Sequence, residues 1–252
     1  NVIGSNIFNI TAIIGITALI NPISVQRETI IKEIPFTFLS TILLLILVMD
    51  TQLQFLSKNY LSRADGLVLM CFFAIFMYYL VEIAVHSKDT ARSDDIKPTP
   101  YTMGKNIFYT IGGLLGVILG GDMVVKGATA IAILFGMSET LVGLTIVAIG
   151  TSLPELITSI TASLKNQSDI AVGNIIGSNI FNIFFILGVS SLIRPLEYNL
   201  NFNKDLYLLG FGTILLFIAM FSGKKKKLDR WESCMLLLIY IIYTILLINN
   251  KI

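Results

Sequence analysis

Charge is what this sequence has least of. Only 13% of its 252 residues are Asp, Glu, Lys or Arg, against about 25% in a soluble domain. Hydrophobic residues make up 55%, so the chain is an integral membrane protein rather than a water-soluble enzyme domain. The apolar runs show no period-two alternation, which excludes a membrane β-barrel and leaves helices. Cysteine is scarce: Cys71 and Cys234 both sit in apolar runs, outside any CxxC or metal-ligand spacing, and read as small hydrophobes. The single histidine, His86, stands at the end of an apolar run, where it is solvated rather than catalytic. No Gly-rich phosphate loop, Ser/His/Asp set or zinc spacing is present, and nothing suggests a nucleic-acid partner. The chain opens at Asn1 inside an apolar motif rather than on a signal peptide.

What is abundant is bilayer-length apolar sequence. A spanning helix takes roughly 20 residues, and eight such runs are legible: 1–20, 36–56, 65–85, 107–135, 141–164, 168–192, 206–222 and 231–249. The fourth contains Gly112, Gly113, Gly116, Gly120 and Gly121, residues that let helices approach closely or tilt. Asp122 and Lys126, four apart in that run, are expected to form an ion pair along one helix face. The longest polar segment, 86–105, carries prolines and mixed charges and reads as a linker between a first half at 1–85 and a second at 106–252. Trp231 opens the last run, where an interfacial aromatic is expected.

One acid lies near the middle of a span. Glu155 falls within VGLTIVAIGTSLPELITSITASL at 142–164. A carboxylate there costs about 2.5 kcal/mol or more on insertion scales, so it faces partners or a water-filled cavity. Pro154 beside it is expected to kink the helix and push away the carbonyl of Gly150. Thr151 and Ser152 add two hydroxyls. Carbonyls, hydroxyls and a carboxylate are hard oxygen ligands of the kind Na⁺ and Ca²⁺ prefer.

The next span repeats the first. NIIGSNIFNI at 174–183 matches NVIGSNIFNI at 1–10 with one difference, Ile175 for Val2, at an offset of 173 residues. The likeness continues through Gly15 and Gly188 to Pro22 and Pro195. The copies fall in spans one and six, five crossings apart, so they run in opposite directions. An inverted repeat of this kind supports alternating access around a midplane site. Counting basic residues loop by loop gives twelve on one face, including Lys165 and Lys224–Lys227, and four on the other: Lys58, Arg63, Arg194 and Lys204. The positive-inside rule places the twelve, with loops 86–105 and 223–230, in the cytoplasm and the C-terminus outside.

GLTIVAIGTSLPEL at 143–156 followed by GNIIGSNIFNI at 173–183 resembles the second α-repeat of the sodium/calcium exchanger family, closest to its prokaryotic members. GGDMVVKGATAIA at 120–132 and the closing basic loop with a Trp-led helix resemble them too. The resemblance covers essentially the whole chain and implies an all-α inverted-repeat transporter of ten spans, eight of them here. It implies ion contacts from the Ala148 carbonyl, Thr151, Ser152, Glu155, Ser178 and Asn182, and from Ser5 and Asn9 in the other repeat. The pairs Thr151–Glu155, Ser178–Asn182 and Ser5–Asn9 are each four apart, on one helix face. The repeat offset puts the start of the first copy roughly 70 residues ahead of Asn1, room for about two more spans, so an N-terminally incomplete or degenerate copy is expected.

The function implied is exchange of Ca²⁺ for Na⁺ by alternating access, in a prokaryotic inner membrane. The ions are substrates; no cofactor and no covalent step is expected, and the other partner is the bilayer. A Ca²⁺/H⁺ exchanger is the alternative, since a buried Glu takes up a proton. A non-transporting membrane scaffold is the alternative from another class.

Overall fold

The computed structural model describes residues 1–24, 29–55, 57–90, 102–222 and 227–249. Its long helices are α1 (Val2–Ile20), α2 (Thr29–Leu47), α3 (Arg63–Thr90), α4 (Met103–Leu134), α5 (Thr145–Thr151), α6 (Leu153–Leu164), α7 (Ser168–Ile193), α8 (Asn203–Ser222) and α9 (Arg230–Ile248). Among the described residues seven helices are long and apolar enough to cross a membrane, and α5 with α6, bent by 50°, makes an eighth. The eight expected spans are all present.

Four boundaries differ from the sequence reading. The second span begins at Thr29 with a π-helical turn and ends at Leu47, well before residue 56. Asp50, buried just beyond it, accepts from the Tyr60 backbone N–H at 2.7 Å and from Gln54 at 3.0 Å, and so turns the chain back. The expected linker 86–105 is shortened at both ends, because α3 runs on to Thr90 and α4 starts at Met103. Neither 63–90 nor 103–134 contains a proline, so backbone hydrogen bonding carries each helix past its apolar part. Residues 91–101, and 223–226 of the tetra-lysine loop, lie outside the described residues. The last helix starts on a capping box in which Asp229 and Glu232 serve each other's backbone N–H groups, a reciprocal cap. Trp231 is largely exposed at its first turn.

The repeat is visible in three dimensions. Both copies of the motif contain a π-helical stretch, Phe8–Ile13 and Asn182–Leu187. Both end in a two-residue strand, β1 (Ile23–Ser24) and β3 (Leu196–Glu197), which the offset of 173 superposes. The strand β1 pairs antiparallel with β4 (Lys227–Leu228), and β3 with β2 (Tyr60–Leu61). Each ribbon therefore ties one repeat to the other, one ribbon at each end of the bundle. Lys58 and Glu197 add an exposed 2.8 Å ion pair to the second ribbon. That carboxylate, as hydrogen-bond acceptor and as charge, raises the Lys58 ammonium pKa.

Packing follows the same two-fold relation. The end of α1 packs on α9, the end of α7 on α3, and α2 on α8. Gly15 lies against α9 and Gly188 against α3. Opposite Gly188, Gly66 touches Ser191 and has the Gly188 carbonyl 2.8 Å from where its own Cβ would stand. Gly66→Val is therefore expected to destabilise the fold by about 1–3 kcal/mol, read as a lowered melting temperature in detergent; an unchanged melt would show that α3 and α7 separate freely.

Candidate functional site

The span containing Glu155 is broken, not kinked. Helix α5 ends at Thr151; Ser152, at φ −100° and ψ 7°, is the joint; α6 begins at Leu153. Pro154 thus occupies the first turn of a new helix, where its missing N–H is not needed. The expected proline kink within one continuous helix is corrected accordingly. The break places Glu155 in the first turn of α6, where free backbone N–H groups favour an anion.

Around that break the repeats interdigitate. Ser5 on α1 donates to the Ala148 carbonyl at 3.2 Å and lies 2.9 Å from Thr151 Oγ1, which itself stands 3.2 Å from the same carbonyl. Three of the expected ligand oxygens therefore form one tight triangle. The next contacts along α1 fix its direction. The Thr17 carbonyl accepts from Ser163, and Asn21 donates to Asn166 at 2.9 Å. Helix α1 thus runs alongside the broken span in the same direction, with Asn21 and Lys165 on one face.

The two copies of the motif meet at the pseudo-two-fold axis, just ahead of their π-helical segments. Asn6 donates its amide to the Asn179 carbonyl at 3.2 Å, and Asn179 donates to the Asn6 carbonyl at 3.2 Å. Asn9 donates to Asn179 Oδ1 at 2.8 Å, and Asn182 to Asn6 Oδ1 at 2.9 Å. Each bond has its mate at the repeat offset. Asn9 also donates to Ser178 at 3.0 Å, which joins two more of the expected ligands.

Both amide hydrogens of Asn9 are thereby used, and its carbonyl oxygen Oδ1 is buried with no hydrogen-bond partner. Glu155 Oε2 is likewise buried and without a partner. Two acceptor oxygens with no donor are an unfavourable arrangement in a low-dielectric interior. Acceptors without donors are what a hard metal ion takes. Among the described residues no cluster of three or more His, Cys, Asp or Glu exists; the oxygen set here is one carboxylate with hydroxyls, amides and a carbonyl. Ser152 is 2% exposed and holds the joint.

One contributor escaped the sequence reading. Asn174 donates to the Glu155 backbone carbonyl and to Ser159, both at 3.3 Å, and so ties α6 to α7. The repeat offset carried the signal: its counterpart Asn1 accepts from Ser5 and Thr151. Asp122 and Lys126 form the expected ion pair, 2.6 Å long and exposed.

Antiparallel copies of one motif, locked at a two-fold axis beside buried unpaired oxygens, define an inverted-repeat membrane transporter. Comparison with known proteins narrows the class. A family model described as "Sodium/calcium exchanger protein" matches residues 1–82 and 105–249. The "Putative antiporter CaxA" of Alkalimonas amylolytica is 38% identical over 257 residues, covering 99% of this chain and 78% of that protein. The "Inner membrane protein YrbG" of Escherichia coli K12 is 36% identical over 210 residues, covering 81% of this chain and 62% of that one. A solved structure of the sodium-calcium exchanger NCX_Mj, soaked with Na⁺ and Sr²⁺, superposes with a TM-score of 0.73 at 33% identity, over 96% of this chain and 74% of that one. The chain belongs to the sodium/calcium exchanger protein family.

Proposed function

We propose that this chain exchanges Ca²⁺ for Na⁺ across a prokaryotic inner membrane by alternating access. The observation that carries the reading is the pair of buried, unpartnered oxygens, Glu155 Oε2 and Asn9 Oδ1, beside the Ser5–Ala148–Thr151 triangle. Glu155 supplies charge. Asn9, Ser5, Thr151, Ser152, Ser178, Asn182 and the Ala148 carbonyl supply neutral oxygens that stand in for water. Weakly held neutral ligands suit an ion that must be released as well as bound. The names of the relatives support Ca²⁺ and Na⁺ as the substrates. In this reading 1–85 belongs to the first half and 106–252 to the second. Lys165 and the tetra-lysine loop face the cytoplasm, and the C-terminus lies outside.

Radiolabelled Ca²⁺ uptake into proteoliposomes under imposed gradients tests this. Uptake driven by an outward Na⁺ gradient is expected. Uptake driven only by protons would replace Na⁺ coupling by H⁺ coupling, and no uptake by the full gene product would favour a scaffold. The same assay checks a finer point. Asn182 is neutral, where potassium-dependent relatives of the resemblance carry an acid, so uptake is expected at full rate with K⁺ absent from both sides. A requirement for K⁺ would contradict the neutral-site reading.

A further inference from the structure

Helix α4 packs on both α5 and α6 of the broken span, with its closest approach at Gly150. Gly121 stands with the Gly150 carbonyl 3.7 Å from its Cβ position, and Val125 fills the space that a Gly150 side chain would need. Toward its N-terminus α4 diverges from that contact. At Gly104, Gly112, Gly113, Gly116 and Gly120 nothing lies within 4 Å of where a Cβ would stand. Helix α6 leaves the same level on its own line because of the 50° bend at Ser152. The two helices therefore enclose a tapering groove of about 530 Å³.

The groove is graded along its length. Val117, Pro154 and Ile157 line its closed end, and Thr161, Lys165 and Gln167 its mouth. Lys165 is exposed and enters neither of the two ion pairs found among the described residues. Lys105 lies on the first turn of α4 at the same end. The acidic neighbour, Asp169, belongs to the first turn of α7, where the helix dipole favours it.

We propose that this groove holds an acyl chain of an anionic phospholipid, with the lipid phosphate at Lys165. An empty apolar slot in a bilayer forfeits dispersion contacts along both walls, so it is filled from the surrounding lipid. A helix is about 10 Å across, and the slot closes to near backbone contact at Gly121 and Gly150, which admits a hydrocarbon chain but not a helix. An ion route fits poorly: Glu155 is not among the lining residues, and a lysine at the mouth repels cations. Lys165 instead matches an anionic headgroup at interface depth, its stem on apolar surface and its ammonium in the headgroups.

The test is lipid retention by the purified protein from mixed phosphatidylcholine and phosphatidylglycerol vesicles, read by native mass spectrometry. One lysine near the headgroups favours the anionic lipid by about fivefold, so a preference for phosphatidylglycerol of that order is expected in the parent. Lys165→Gln, an exposed substitution that leaves the fold intact, is expected to remove the preference while lipid still binds. Gly113→Leu, built into open space, is expected to expel both lipids. Equal retention of the two lipids by the parent, an unchanged preference in Lys165→Gln, or parental retention in a folded Gly113→Leu would each overturn the proposal. So would a spontaneous disulfide in a Thr110→Cys/Thr161→Cys protein, which would show the groove closed.

Discussion

Glu155→Gln is expected to abolish Na⁺-driven Ca²⁺ uptake in the full gene product while leaving expression, insertion and melting behaviour near the parent's. Gln keeps the shape of the side chain and removes its charge, so the loss isolates electrostatics. Stranding one member of a buried ion pair costs about 3–5 kcal/mol, and each 1.4 kcal/mol is a factor of about ten. A fall of roughly a hundredfold or more in apparent Ca²⁺ affinity is therefore expected, read as isotope binding and as uptake. Fold stability should hold or rise, because Glu155 Oε2 has no hydrogen-bond partner to lose in the unloaded protein. Near-parental exchange by the variant would show the carboxylate to be structural.

The second large effect lies on the pseudo-two-fold axis. Asn6→Ala is expected to cost about 2–4 kcal/mol of stability. It removes the bond to the Asn179 carbonyl, takes away the acceptor of Asn182 and leaves buried groups unpaired, at about 1–3 kcal/mol each. Asn179→Ala should cost about the same, because it strips the mirror-image bonds to Asn6 and Asn9. The double variant should lose close to the sum, since each side chain bonds to the other residue's backbone carbonyl, which alanine keeps. Thermal melting of the four proteins in detergent measures this. A double-variant loss far below the sum would mean that the two asparagines do not hold the axis by separate bonds.

Both variants bear on the same architecture from different sides. Glu155 governs charge at the break between α5 and α6, and Asn6 with Asn179 governs how the repeats are held together beside it. Ribbons β1–β4 and β2–β3 tie the repeats at both ends of the bundle, so loss at the axis should lower stability before it alters the oxygen set. An exchange rate that collapses in Asn6→Ala at a temperature where the protein remains folded would instead place Asn6 in the transport step itself.

Much of the molecule was legible in the chain. The eight spans follow from runs of apolar sequence, because a bilayer fixes the length a helix must have. The inverted repeat follows from NVIGSNIFNI and NIIGSNIFNI and an odd number of crossings. Glu155 stood out because an acid in mid-span is costly anywhere but at a site. That Ser5, Thr151, Asn9 and Ser178 belong to one site was implied only through the family resemblance, and their pairing came from the structure, since contacts across the chain leave no local period to read.

Only tertiary structure decided the rest. Pro154 suits both a kinked helix and the first turn of a new one, and packing of Gly150 against Val125 accompanies the second. Asn6 and Asn179 read equally well as polar glue or as ligands. The structure assigns their amides to each other's backbone, and that arrangement frees the Asn9 oxygen. The second span ends at Leu47 because Asp50 finds the Tyr60 N–H, a contact across a loop that hydropathy does not register. Sequence by itself determined how often this chain crosses the membrane and which segments are copies. Which oxygens remain without a donor was decided by the fold, because hydrogen-bond satisfaction is a property of neighbours in space.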